Sequence, residues 1–89
     1  MENKTYNGWS NYATWRINLE HFSDRSLEDL KENYEMCEDI YDIAQSIQAE
    51  TEDYIYTLSE NDMVVGYALA FVEDVNWYEI AKWIYEDIN

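Results

Sequence analysis

Eighty-nine residues can bury one core, so the chain is read as a single acidic helical domain spanning 1–89. Twenty acidic residues against five basic ones give a formal charge of −15, a field that excludes direct binding to DNA, RNA or anionic lipid. Hydrophobic residues reach 47% and aromatics 17%, which a disordered acidic tail would lack.

The N-terminus, MENKTYNGW, has no apolar stretch of the kind a signal peptide needs, and no run of 18 apolar residues follows anywhere. Neither a leader nor a membrane span is expected. Cys37 is the sole cysteine, so no intrachain disulfide can form and an intracellular, cytoplasmic setting is expected. In YNGWSNYATWRINLEHF, Asn11 can cap a first helix on which Tyr12, Trp15, Leu19 and Phe22 form one apolar stripe. Gly8 is expected to turn the chain so that Trp9 packs inward.

Ser26, with Asp29 three residues on, signals another helix start. From there Leu27, Leu30, Tyr34, Cys37, Tyr41, Ala44 and Ile47 step by three or four, widened by Ile40 and Ile43. A single helix to Thr57 would be about 45 Å long, too long for so small a globule. A break is therefore expected around Asn33–Met36, leaving a long helix from roughly Cys37 to Thr57. Ser59–Asp62 reads as a turn with cap chemistry, followed by Val64, Tyr67, Ala68, Phe71 and Val75 at helical spacing. Gly66 within that helix suggests close helix–helix approach. Asn76 and Glu79 form a capping box for a last helix with Trp77, Ile80, Ala81, Ile84 and Ile88 inside. The expected fold is all-α, a compact bundle of about four helices with a short extra helix or turn near 26–33.

Catalytic chemistry is not assembled. One histidine and one cysteine cannot build the usual zinc site, phosphate-cradling glycine loops are missing, and ENDMVVG and EDVNWYE lack calcium-loop spacing. No enzyme, cofactor or metal is expected. The distinctive constellation is acidic: Glu28, Glu32, Glu35, Asp39 and Asp42 step by four, three, four and three, a carboxylate row on continuous helix. Asp24, Asp29 and Glu38 thicken it, and Glu50, Glu52 and Asp53 extend it. Solubility alone is met by a net charge of roughly 2–8, so the excess asks for another reason.

The stretches TYNGWSNYATWRINLE and YALAFVEDVNWYEIAKWIYEDI resemble a family of small acidic proteins of phages, plasmids and their hosts. Its members open with an NGW-NY-TW motif and close with a DVNW-EIA motif. The resemblance covers the first twenty and the last two dozen residues, while Asp24–Met36 departs from the pattern. It implies a mobile-element origin. Small acidic phage proteins often inhibit host defence, anti-CRISPR and antirestriction proteins that look like DNA among them. The expected function is thus inhibition of a basic nucleic-acid-binding host protein, a CRISPR effector or a restriction enzyme, through an acidic DNA-mimicking face. The expected contacts are Asp24, Glu28, Asp29, Glu32, Glu35, Glu38, Asp39, Asp42, Glu50, Glu52 and Asp53. The alternative is a helical interaction module, a homodimer or adaptor, anchored by aromatics around Trp83 and Tyr85.

Overall fold

In the computed structural model, which describes residues 6–88, the chain is all helical apart from one short bridge near its start. Five α-helices follow in order: α1 (Tyr12–Ile17), α2 (Leu27–Tyr34), α3 (Ile40–Leu58), α4 (Asp62–Val72) and α5 (Trp77–Ile88). A π-helical segment, Asn18–Phe22, prolongs α1. The short element expected near 26–33 is a true helix, α2, so the count is five α-helices. The molecule measures 39 × 36 × 21 Å. Its thin dimension is about two helix diameters, so many residues face solvent on one side or the other.

Each start is fixed by a side chain that accepts an otherwise orphaned backbone N–H. Asn11 Oδ1 accepts from Thr14 N at 2.9 Å, Ser26 Oγ from Asp29 N at 3.1 Å, and Asn76 Oδ1 from Glu79 N at 3.1 Å. Asn61 Oδ1 serves α4, accepting from both Met63 and Val64. The expected break is present: α2 ends at Tyr34 and α3 begins at Ile40, with Asp39 as its cap.

Before α1, Asn7 and Gly8 both adopt positive φ, 50° and 89°. They make the two-residue turn of a miniature hairpin, with Tyr6 and Trp9 exchanging two hydrogen bonds of 2.8 Å. The turn lays Trp9, half-buried, against the core.

Phe22, Leu30, Ile43, Ile47, Ile80 and Ile84 are fully buried. Each such side chain is worth roughly 1.5–3 kcal/mol. Four of the six lie on α3 and α5, which share the most extensive helix contact, so this pair is the spine of the fold. On α5 the expected inner face of Ile80, Ala81 and Ile84 is the buried one.

Two other stripes are rotated from expectation. On α1, Tyr12 and Leu19 are 42% and 45% exposed, Trp15 is half-buried, and the inward residues are Ala13, Thr14, Asn18 and Phe22. The π turn is the reason: Ser23 N reaches back five residues to Asn18 O at 2.8 Å. The extra residue in that turn swings Phe22 into line with Thr14. On α4, Val65, Val72 and, just beyond the helix, Val75 are buried, whereas Val64, Tyr67 and Phe71 are exposed. A helix apolar on all sides gives periodicity nothing to choose between. Nor does Gly66 mark a close approach within the chain. It is exposed, and a Cβ there would meet nothing within 4 Å.

The two ends of the chain are joined by a polar lock. Thr14 Oγ1, fully buried, donates to Asn11 Oδ1 and accepts from Asn76 N, both at 2.8 Å. Asn11 Nδ2 donates to Asp74 O at 2.8 Å and Asn76 Nδ2 to Ser10 Oγ at 3.2 Å. The Asn76–Glu79 capping box is opened by this lock. Glu79 Oε1 accepts from Ser10 N at 3.0 Å, and Thr14 serves the Asn76 N–H that Glu79 would otherwise take. NGWSNYATW and DVNWYEIA thus form one joint.

Candidate functional site

The carboxylates singled out by sequence separate into three groups. Glu28, Glu32 and Glu35 share the outer side of α2 at steps of four and three, with Asp29 beside them, and all four are exposed. Together with Lys31 they line one shallow depression. Asp24, in the turn before α2, and Glu38, in the link after it, are also exposed. Glu28 and Asp29 lie in the first turn, where the positive end of the helix dipole offsets part of their mutual repulsion.

Asp39 and Asp42 do not continue this row. The helix they were expected to share with Glu35 is interrupted, and both are occupied in starting α3. Asp39 Oδ1 accepts from Asp42 N at 2.9 Å, and Asp42 Oδ2 accepts from Glu38 N at 3.0 Å. The five-residue row is therefore two pieces, three carboxylates on α2 and a cap. Spacing could not reveal this, because a capping aspartate and a displayed one look alike in sequence.

Glu50, Glu52 and Asp53 also diverge. Asp53 is exposed, and Glu52 is half-buried with Oε2 accepting from Gln48 Nε2 at 3.2 Å. Glu50 turns inward to form an ion pair with Arg25, and Tyr34 Oη donates to its Oε1 at 2.7 Å. Arg25 also donates to Tyr34 Oη at 2.8 Å and lies over the Phe22 ring, 4.7 Å from its centroid. Burial alone would push the Glu50 carboxyl up. The hydrogen bonds from Arg25 and Tyr34, with the Arg25 charge, outweigh it and hold the carboxyl below its ordinary value. Burial and the bond to Glu50 push the Tyr34 phenol well up. This triad ties the turn after the π segment, α2 and α3 together, so Glu50 is engaged within the fold.

The triad has an electrostatic consequence. Between Asp24 and Glu38 the sequence holds two cations, Arg25 and Lys31. Arg25 is withdrawn to Glu50, its side chain only 18% exposed, and Lys31 is left as the cation on the α2 surface. Among the described residues, Asp24, Glu28, Asp29, Glu32, Glu35 and Glu38 make no ion pair.

A groove of about 530 Å³ runs between the π segment, α3 and α4, with Arg16, His21, Tyr54, Leu58 and Phe71 in its walls. His21 stacks on Tyr54 at 5.3 Å, and its Nε2 has no hydrogen-bond partner, the Glu50 carboxylate being 3.9 Å away. Burial and the Arg25 charge lower the His21 pKa against the opposing pull of Glu50, so the ring is neutral at pH 7. Arg16 is engaged with Glu20 and with Tyr12 Oη. A neutral imidazole and a neutralised guanidinium leave the groove without a free charge to orient a ligand. Among the described residues, no three His, Cys, Asp or Glu side chains converge as a metal ion would require.

Trp83 and Tyr85 lie half-buried on α5, packed against the core. The most exposed large apolar side chains are elsewhere: Met36, Tyr67 and Met63, with Tyr41 leaning on Tyr78 at 5.1 Å. Among the described residues, no helix is long and apolar enough to cross a membrane. Neither a curated protein nor a solved structure matches the chain. One family model does match, over residues 2–89, and it covers the terminal lock, the acidic helix and the core alike: the chain belongs to the family of unknown function DUF7249.

Proposed function

We propose that the chain is a non-enzymatic inhibitor carried by a phage or other mobile element. It acts in the host cytoplasm by placing the acidic surface of α2 in the positively charged channel of a nucleic-acid-binding defence protein, a CRISPR effector or a restriction enzyme. The observation that supports this reading is the unneutralised state of that surface. Six carboxylates lie between Asp24 and Glu38, and of the two cations among them Arg25 is consumed by Glu50, leaving Lys31 alone against six acids. An ordinary solvated helix would interleave more than this one lysine, since like charges at i,i+4 destabilise it by a few tenths of a kcal/mol.

The charge density suits such a target. Glu28, Asp29, Glu32 and Glu35 span about 10 Å of helix, roughly one carboxylate per 3.5 Å with Lys31 offsetting one of the four, against about 3.4 Å per phosphate on one DNA strand. The α2 surface therefore offers a short piece of single-strand-like charge, which an arginine-lined cleft would accept on electrostatic grounds.

The test uses Glu28→Gln, Glu32→Gln, Glu35→Gln and Glu38→Gln combined, leaving the capping Asp39 and Asp42 and the paired Glu50 intact. The wild-type chain should retain a DNA-binding protein from host extract, release it in rising salt, and be displaced by duplex DNA. The fourfold variant should melt like the wild type and retain nothing. Unchanged retention by the variant, or retention indifferent to salt and DNA, would refute the reading.

A further inference from the structure

We infer that the outer face of α4 is a self-association surface through which two copies of this chain pair about a two-fold axis. From Met63 to Val72 the sequence carries no charge, although the chain as a whole carries −15. The structure turns half of this stretch outward: Met63 is 63% and Tyr67 71% exposed, with Val64, Gly66, Ala70 and Phe71 beside them. Across the groove Tyr54 and Leu58 of α3 continue the same apolar surface. A helix apolar on all sides is ordinarily covered on all sides, and here only the inner side, through Val65 and Val72, is covered.

Three features favour a second copy as the occupant. The first is area. Taking about 200 Å² for a large side chain, the exposed parts of Tyr54, Leu58, Met63, Val64, Tyr67 and Phe71 amount to roughly 650 Å². That approaches the ~800 Å² per partner of a standard stable interface. The second is charge. Two chains of this net charge repel, and a contact between them is tolerable only where neither presents a carboxylate. A basic partner would gain nothing from a face lacking acids. The third is shape. Gly66 and Ala70 stand one turn apart on the exposed side, and the space over Gly66 is open. Two such helices can approach closely at a crossing over Gly66 and Ala70, with Tyr67 packing beside it, and a two-fold axis there makes the face complementary to itself.

The ends of α4 set the salt dependence. Glu60 and Asp62 precede the apolar run, and Glu73 and Asp74 follow it. When two α4 helices cross antiparallel, the acids at the start of one approach those at the end of the other. Screening should therefore strengthen this association, opposite to the effect of salt on a contact made through the α2 carboxylates.

Sedimentation equilibrium of the full chain, from about 1 μM to 500 μM and at about 0.05 and 0.5 M NaCl, tests the inference. The expected result is a monomer–dimer equilibrium that shifts severalfold toward dimer at the higher salt. Met63→Glu with Tyr67→Glu should be monomeric throughout, with circular dichroism checking the fold. Gly66→Gln is the second variant: it improves helix propensity, so it cannot act by unfolding, and its side chain blocks the crossing. A wild-type chain that stays monomeric at every concentration overturns the inference. So does a dimer that survives both variants, or one that dissociates as salt rises.

Discussion

Thr14→Val and Thr51→Val make the same chemical change at two buried sites, and their outcomes should differ. Thr14 Oγ1 both donates to Asn11 and accepts from Asn76 N, so its loss removes one hydrogen bond within the α1 cap and one joining α1 to the start of α5. At about 1 kcal/mol net for each bond, the cost is about 2 kcal/mol. For a domain of this size, that lowers the melting temperature by roughly 8–16 °C. Thr51 Oγ1 only donates back to Ile47 O, at 2.8 Å, a carbonyl already serving its own helix. Removing that bond strands no partner, so Thr51→Val should stay within about 0.5 kcal/mol of wild type. Thermal and urea denaturation measure both, and an unchanged urea slope would show that the folded and unfolded ensembles are comparable. Equal losses in the two variants would refute the lock as a specific source of stability.

Gly66→Ala should stabilise the monomer by up to ~1 kcal/mol, because the added methyl meets nothing and the helix gains propensity; melting at low protein concentration checks it. Glu50→Gln should cost about 1–2 kcal/mol at pH 7, the upper range for a buried pair being discounted because Glu50 is partly open to solvent. Since folding holds the Glu50 carboxyl below the ordinary glutamate range, its contribution is complete above that range. It disappears as pH falls through the lowered value, so wild type and Glu50→Gln should converge in acid. A gap that persists once the Glu50 carboxyl is protonated would refute this account.

The helix starts were legible because Asn11, Ser26, Asn61 and Asn76 act locally, each on a backbone N–H within three residues. The inner face of α5 was legible because Lys82 and Glu86 mark its outer side. Two things were not. Periodicity assumes one turn length, and the π turn at Asn18–Phe22 breaks that assumption directly after α1. Tertiary partners leave no local trace. Glu50 looks like one more member of an acidic run until Arg25, twenty-five residues away, is seen to hold it. Glu79 reads as half of a capping box until Ser10 is found in the place of the Asn76 N–H. The acidic surface of α2 was recognisable in outline, but which carboxylates it displays depended on the break before Ile40.

The lock between Ser10–Thr14 and Asp74–Glu79 also bears on how the chain comes into being. Its two halves are separated by 62 residues at their closest link, about two thirds of the 89-residue polypeptide. At about 5–20 residues per second, a ribosome takes roughly 3–12 s to deliver the second half after the first. During that interval Thr14 has no Asn76 to receive from. α1 can meet α4 as soon as that helix emerges, but the lock itself must wait. The last helix to be made thus completes the lock, and premature termination anywhere before Asn76 leaves Thr14 without its partner across the fold.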